Sequence, residues 1–372
     1  MRPVLRAGLR PVWRDRDTLQ IGVDPRRAVA LSGMRDAGPV IALLDGSRDW
    51  EAVITAAGEA GIPVKTVHRV LGLLAGAGAL ADFPVGTLDG MTPAARGRLA
   101  TELAAASLAY GDSDGGARTL ARRRLACVRV HGAGRIGSAI AGLLAAAGVG
   151  HVVSRDGGLA RPQDLTPAGL GLPDLDLPRA DGVRRIIRRV APDVRTTDRG
   201  ERSDLAVLAG PGDPEVATGL VRERIPHLAA AGGEGVGVVG PLVVPGRSAC
   251  LRCLNLARAE RDPAWPLILA QLASPDSSAA GTCDAVLAAA VAALAAAQAL
   301  TFVDTGRPAA LVSDATLELA VPDWQWRRRS WPPHPRCSCG AARRRAQTVA
   351  RAAGPAVPAP RASPQHRGMT DN

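Results

Sequence analysis

The stretch VRVHGAGRIGSAIAGLLAAAGVGHVV, residues 128 to 153, constrains the fold more than any other part of the chain. Gly132, Gly134 and Gly137 stand as G-x-G-x-x-G between an apolar run of strand character and an apolar helix. At this spacing the first glycine permits a tight turn, the second lets backbone approach a phosphate, and the third lets the helix pack close to the strand, whose following helix N-terminus favours an anion. The segments that follow keep a regular alternation. HVVSRD reads as a strand, ADGVRRIIRRVAP as a helix, SDLAVLAGPG as a strand, PEVATGLVRERI as a helix and PHLAAAGGEGVGVVGPLVVPG as further strands. Alternation of this kind predicts an α/β fold with a doubly wound, Rossmann-like parallel sheet from about residue 125. Asp156, at the end of the second strand, is placed to accept from ribose hydroxyls, which suits NAD and ATP alike.

The N-terminal 83 residues have a pattern of their own. PVWR, TLQIGV and AVALSG have strand character and are separated by the polar turns DRD and DPRR. Three helices are expected next: Ala37 to Leu44, then one capped by Ser47 or Asp49 and ending near Ala60, then one from about Val64 with Val67, Val70, Leu71 and Leu74 on one face. Strands followed by three short helices describe a small α+β domain of winged-helix type. ALLDGSRDWEAVITAAGEAGIPVKTVHRVLGLLAGAGAL resembles the PqqD-like leader-peptide recognition domains. The resemblance implies that a precursor's leader adds as a strand to the small sheet, along TLQIGV or AVALSG, beside the helix carrying Lys65, His68 and Arg69. A DNA-binding winged helix and a structural cap are the alternatives. Residues 84–122 read as a connector containing one helix, PAARGRLATELAAASLAYG.

Six cysteines remain to be placed, and the first twenty residues, with Arg2, Arg6, Arg10, Arg14 and Arg16, lack the apolar core of a signal peptide, so a cytoplasmic protein is expected in which thiols serve metal or catalysis before disulfides. Cys250-x-x-Cys253 and Cys337-x-Cys339 give two tight thiol pairs, the arrangement of a structural zinc site, with His334 near enough to replace one sulfur. Cys283 opens an apolar helix, where the dipole would lower its pKa, and is the candidate catalytic nucleophile. Cys127 lies within the first strand and reads as core. The uncharged run AVLAAAVAALAAAQALTFV (285–303) is nearly long enough to span a bilayer, yet its alanine content and Gln298 favour an interior helix. Net charge is +11, concentrated in arginine runs that read as solvated faces, so neither a membrane nor nucleic acid is expected as the main partner. Residues 341–372, rich in Ala, Pro and Arg, are expected to be disordered.

From Leu125 to Gly340 the glycine turn, AAAGVG, Asp156, DLAVLAGPGD and the cysteine pairs together resemble the ThiF, MoeB and HesA family of ubiquitin-activating-enzyme-like adenylyltransferases. That resemblance implies a nucleotide-binding domain over 123–340 that uses ATP and Mg2+ to adenylate a carboxylate. Gly132, Gly134 and Gly137 would line the phosphates, Asp156 would hold the ribose, Arg179 would fall near the family's lysine, and the magnesium-binding aspartate would fall near Gly212 or Asp213. Asp164-Leu165-Thr166-Pro167 stands where the family has Asn-Leu-Asn-Arg, which leaves Arg135 or Arg161 to supply the missing cation. WPPHPRCSC and CDAVLAAAVAALAAAQAL are similar to the ThiF-like partner proteins of thiazole- and oxazole-forming peptide biosynthesis. These imply a homodimer that binds a precursor leader peptide and delivers it to a YcaO-type cyclodehydratase. An active adenylyltransferase acting on a peptide or sulfur-carrier C-terminus is the second expectation, and a basic winged-helix regulator of nucleic acid the third.

Overall fold

The computed structural model describes residues 1–33, 36–83, 86–198, 200–210, 213–272 and 283–352. Strands β1 (Pro3–Leu5), β2 (Pro11–Trp13), β3 (Thr18–Ile21) and β4 (Val29–Ser32) precede helices α1 (Ala37–Ala42), α2 (Trp50–Glu59) and α3 (Val64–Gly76), and β5 (Leu80–Asp82) follows. β2, β3 and β4 form an antiparallel sheet in that order, and β1 pairs with β5. Of the two capping residues expected for α2, Asp49 takes the role, accepting from the Ala52 amide at 2.9 Å. Leu19, Ile21 and Leu31 from the sheet meet Val67, Val70, Leu71 and Leu74 of α3 in a core separate from that of the main sheet. Burial alternates along β3 and recurs at three- and four-residue steps along α3, as the two side-chain periods require. β1 and β5 were not expected; at three residues each, neither carries a readable period.

Two helices link this unit to the rest. α4 (Pro93–Tyr110) begins at Pro93 behind the Thr92 cap, and α5 (Ala117–Leu125) covers residues read as connector and strand. ARTLARRRL is a good helix former whose charge hides its short apolar face, Leu120 being fully buried. Arg6, itself buried, donates to the carbonyl oxygens of Ser107, Gly111 and Asp112 at 2.7–2.9 Å and so satisfies the C-terminal end of α4 from the N-terminal unit.

The remaining elements build the main sheet and its cover. In order they are β6 (Cys127–His131), α6 (Arg135–Ala146), β7 (His151–Arg155), α7 (Arg179–Val190), β8 (Leu205–Ala209), α8 (Pro214–Arg222), β9 (His227–Gly233) and β10 (Val236–Val243). Then come α9 (Leu251–Arg261), α10 (Trp265–Leu272), α11 (Ala285–Thr305), β11 (Ala315–Ala320), β12 (Gln325–Ser330) and α12 (Ala341–Ala352). The strand order is β12-β11-β10-β9-β8-β6-β7. β7, β6, β8 and β9 run parallel, and β10, β11 and β12 continue antiparallel, so the sheet is mixed and only its first half is doubly wound as expected. The chain leaves β6 toward β7 on one side and returns to β8 on the other, which opens a crevice at the carboxyl ends of these strands. α11 is a core helix, with Leu287, Val291, Ala295 and Ala299 packed against α6 and the sheet.

The tail departs from expectation. Residues 341–352 form α12 where disorder was expected, because Ala341 is fully buried directly after the last cysteine pair and the following Ala, Arg and Gln residues favour helix. The remainder of that expectation, 353–372, lies outside the described residues.

Candidate nucleotide site and metal centre

The glycine turn sits at the crevice. Gly132 has φ +92°, and a methyl group there would overlap the Ala209 carbonyl oxygen at the end of β8. A methyl on Gly137 would in turn overlap the Gly132 carbonyl oxygen, so Gly132 lets the turn meet β8 and Gly137 lets α6 meet the turn. Gly134 caps α6 without any side-chain acceptor, which leaves amides of the first helical turn free to face an anion.

Asp156 follows β7 and is bound from three sides. Its Oδ2 accepts from the Ala133 amide at 2.7 Å, and its Oδ1 accepts from the Gly158 amide at 2.8 Å and from Arg179 Nε at 3.0 Å. Arg179, the first residue of α7, also reaches Asp164 at 3.4 Å. A cleft of about 390 Å³ opens here, lined by Gly132, Asp156, Arg179 and Asp213 together with His131 and Arg155. Asp213 caps α8 by accepting from the Glu215 amide at 2.8 Å, while Gly212 lies outside the described residues. Four of the expected positions therefore converge on one cleft. Arg135 does not join them: Nη1 donates to the Cys283 carbonyl at 2.8 Å and Nε to that of Gln163. Arg161 is exposed on the turn before Asp164 and does not line the cleft.

His131 and Arg155 were missed by the sequence reading. Both are the last residues of parallel strands, and only knowing where β6 and β7 end could have flagged them. Burial, assisted by Arg129 and Arg155, holds the His131 imidazole below its usual pKa, and its Nε2 lacks a hydrogen-bond partner among the described residues. A neutral imidazole with a free nitrogen suits a base or a ribose better than it suits a phosphate.

Cys283 is buried with its Sγ over Gly232. Burial and then Asp284 push its thiol up, and α11 starts after the cap Asp284, which accepts from Val286 and Leu287, so the expected lowering by the helix dipole does not prevail. Cys127 is buried at the start of β6, where burial likewise pushes the thiol up.

The two cysteine pairs come together. Sγ separations are 3.8 Å for Cys250 and Cys253, 3.6 Å for Cys250 and Cys337, and 3.6 Å for Cys253 and Cys339, with all four sulfurs within 4.8 Å of one another. A tetrahedron with metal–sulfur bonds of about 2.3 Å has edges of about 3.8 Å, so the cluster fits one metal ion without rearrangement. Crowding among the sulfurs splits their protonation, pushing Cys250 up and Cys339 down. His334 does not replace a sulfur. Its Nδ1 accepts from the Arg336 amide at 3.2 Å and its Nε2 faces Glu260 at 2.9 Å. Beside the cluster, a mostly apolar cavity of about 570 Å³ lies between α8, α9 and α10 and shares no lining residue with the glycine-turn cleft.

A mixed sheet with its glycine turn at the switch point, followed by a four-cysteine cluster, defines a ThiF-like fold. Solved structures share it nearly end to end. E. coli MccB in complex with AMPCPP and MccA superposes with a TM-score of 0.65 at 16% identity, covering 92% of this chain and all of that one. The microcin C7 biosynthetic enzyme MccB in complex with N-formylated MccA gives 0.64 at 18% identity, over 91% of this chain and all of that one. PaaA gives 0.65 at 16% identity over 87% of this chain and 98% of that one. No protein-family model matches the chain, and no curated protein matches it.

Proposed function

We propose that this chain is a ThiF-fold protein of ribosomal peptide modification that binds a precursor leader at its N-terminal unit and presents the precursor to a YcaO-type cyclodehydratase. One observation carries the reading. A small sheet whose β4 edge pairs with nothing among the described residues lies against α3, in the same chain as a ThiF-like body, and the superposition with MccB, solved with the peptide MccA, spans 92% of the chain. β3 is paired on both sides, so of the two stretches first considered, AVALSG offers the edge and TLQIGV does not. Lys65, His68 and Arg69 are exposed on α3 for contact with the peptide. Zinc is the metal that suits four thiolates at these separations, and its role there is structural, tying α9 to the return from β12.

Features of the cleft favour delivery over catalysis. Both oxygens of Asp156 are engaged, Arg135 is held by carbonyls away from the cleft, and Asp213 is used as a helix cap.

A second reading is adenylyl transfer, favoured by Arg179 and Asp213 sharing the cleft with the glycine turn. ATP phosphates would draw Arg179 from Asp156, whose carboxylate would then accept from the ribose, and Asp213 would face Mg2+. A peptide carboxylate oxygen would attack the α-phosphorus, forming the acyl-adenylate and releasing pyrophosphate. Isotope exchange between pyrophosphate and ATP, in the presence of full-length precursor peptide, separates the readings. Delivery predicts exchange no faster than without protein; exchange that depends on the peptide establishes the second reading.

A further inference from the structure

We infer that Cys127, His151 and Glu201 form a second metal site, for a borderline divalent cation such as Zn2+, at the amino ends of β6 and β7. Cys127 and His151 are the first residues of these strands and stand opposite each other in the parallel register. Glu201 comes from the loop before β8, whose backbone is held there by Arg129 donating to the Glu201 carbonyl at 2.7 Å. One ligand atom from each residue lies within 4.8 Å of the other two. The cluster lies at the amino end of β6 and the glycine turn follows its carboxyl end, roughly 16 Å away along the strand.

The imidazole makes the case. His151 is 2% exposed, and its Nε2 lies 2.8 Å from the Thr197 carbonyl oxygen, a group that only accepts. Nε2 therefore carries the proton, which in the neutral ring leaves a lone pair on Nδ1. That lone pair has no hydrogen-bond partner among the described residues and faces the carboxylate Oε2 of Glu201 at 3.1 Å. A buried imidazole lone pair set against a partly exposed carboxylate oxygen is costly, and a shared cation removes the cost. A proton on Nδ1 would also bridge imidazole and carboxylate, but it gives no role to the buried Cys127 sulfur alongside them. A cation binds all three.

The surroundings resemble those that orient metal ligands. A backbone carbonyl fixes the histidine tautomer, and Arg195 approaches the other carboxylate oxygen, Oε1, at 3.5 Å, leaving Oε2 for the ion. Asp204 accepts from the Cys127 amide at 2.8 Å and pins the start of the strand. One sulfur, one imidazole and one carboxylate suit zinc better than Mg2+ or Ca2+, and three protein ligands leave a fourth position for water or an outside ligand.

The test counts metal in the full chain. Wild type, Cys127→Ser, Glu201→Gln and a Cys283→Ser control are supplemented with Zn2+, dialysed against metal-free buffer, and measured by elemental mass spectrometry. Glu201 is partly exposed, so Glu201→Gln keeps the comparison interpretable if Cys127→Ser folds poorly. The inference predicts that both variants hold one zinc per chain fewer than wild type and the control, with affinity at that site lowered at least about tenfold in Glu201→Gln. Equal zinc in wild type and Glu201→Gln, with unchanged affinity, overturns it. Because the reading is a difference, it stands apart from whether the four-cysteine cluster is filled.

Discussion

Gly132, Gly137 and Asp156 act together as one brace. The two glycines let β6, β8 and α6 meet, and Asp156 fixes the intervening Ala133 amide. Gly132→Ala should therefore cost at least about 2 kcal/mol, read as a lowered urea midpoint with an unchanged slope, since it combines a left-handed backbone with a clash against Ala209. This much was legible in the sequence, because the spacing of three glycines and one acid is fixed by the turn itself. Arg179 was legible only through resemblance, and His131 and Arg155 were not legible, because their role follows from being the last residues of their strands. Cys250 belongs to the legible group as well. Cys250→Ser should abolish metal retention at the four-cysteine cluster and lower Tm, measured by elemental analysis alongside thermal unfolding, since binding free energy at such a site is folding free energy.

At the scale of elements, α4, α5 and α11 are joined by charge. Arg123 on α5 grips Asp304 on α11 through Nε and Nη2 at 2.8 and 2.7 Å, and Tyr110 at the end of α4 donates to the same carboxylate at 2.8 Å. Burial first, and Asp304 second, push the Tyr110 hydroxyl up to about 12, so it remains a donor at any physiological pH. Asp304 is fully buried, so Arg123→Met should destabilise the chain by about 3–5 kcal/mol, and adding Asp304→Leu should recover much of that loss in chemical denaturation. The helices and strands of the sheet's first half were readable from their periodicity. β12 was not, because every one of its six residues is exposed and QWRRRS has no apolar face to alternate. Its arginines suit an edge strand that must not pair with another copy. α12 was hidden for a related reason: of residues 341–348, Ala341, two residues after Cys339, is fully buried while 343–348 are exposed.

Across the described residues, an N-terminal unit with its own core, a linking pair of helices and a ThiF-like sheet put an unpaired β4 edge and a cleft at the glycine turn in one chain. Part of the net charge of +11 lies on exposed faces such as Arg184, Arg185, Arg188 and Arg189 of α7, where it gives a general attraction for anionic partners without defining a site. The proposed recognition elements are instead β4 and α3. The most direct measurement of that proposal is fluorescence anisotropy with labelled synthetic N-terminal segments of short Cys-, Ser- or Thr-rich peptides encoded near this chain's gene, titrated with wild type and with the triple variant Lys65→Glu, His68→Glu, Arg69→Glu, with labelled duplex DNA as the comparison. The account predicts saturable leader binding by wild type, at least about tenfold weaker in the variant, and no comparable affinity for DNA at physiological salt. Absence of leader binding together with tight, salt-sensitive DNA binding would contradict it and identify the N-terminal unit as a nucleic-acid reader.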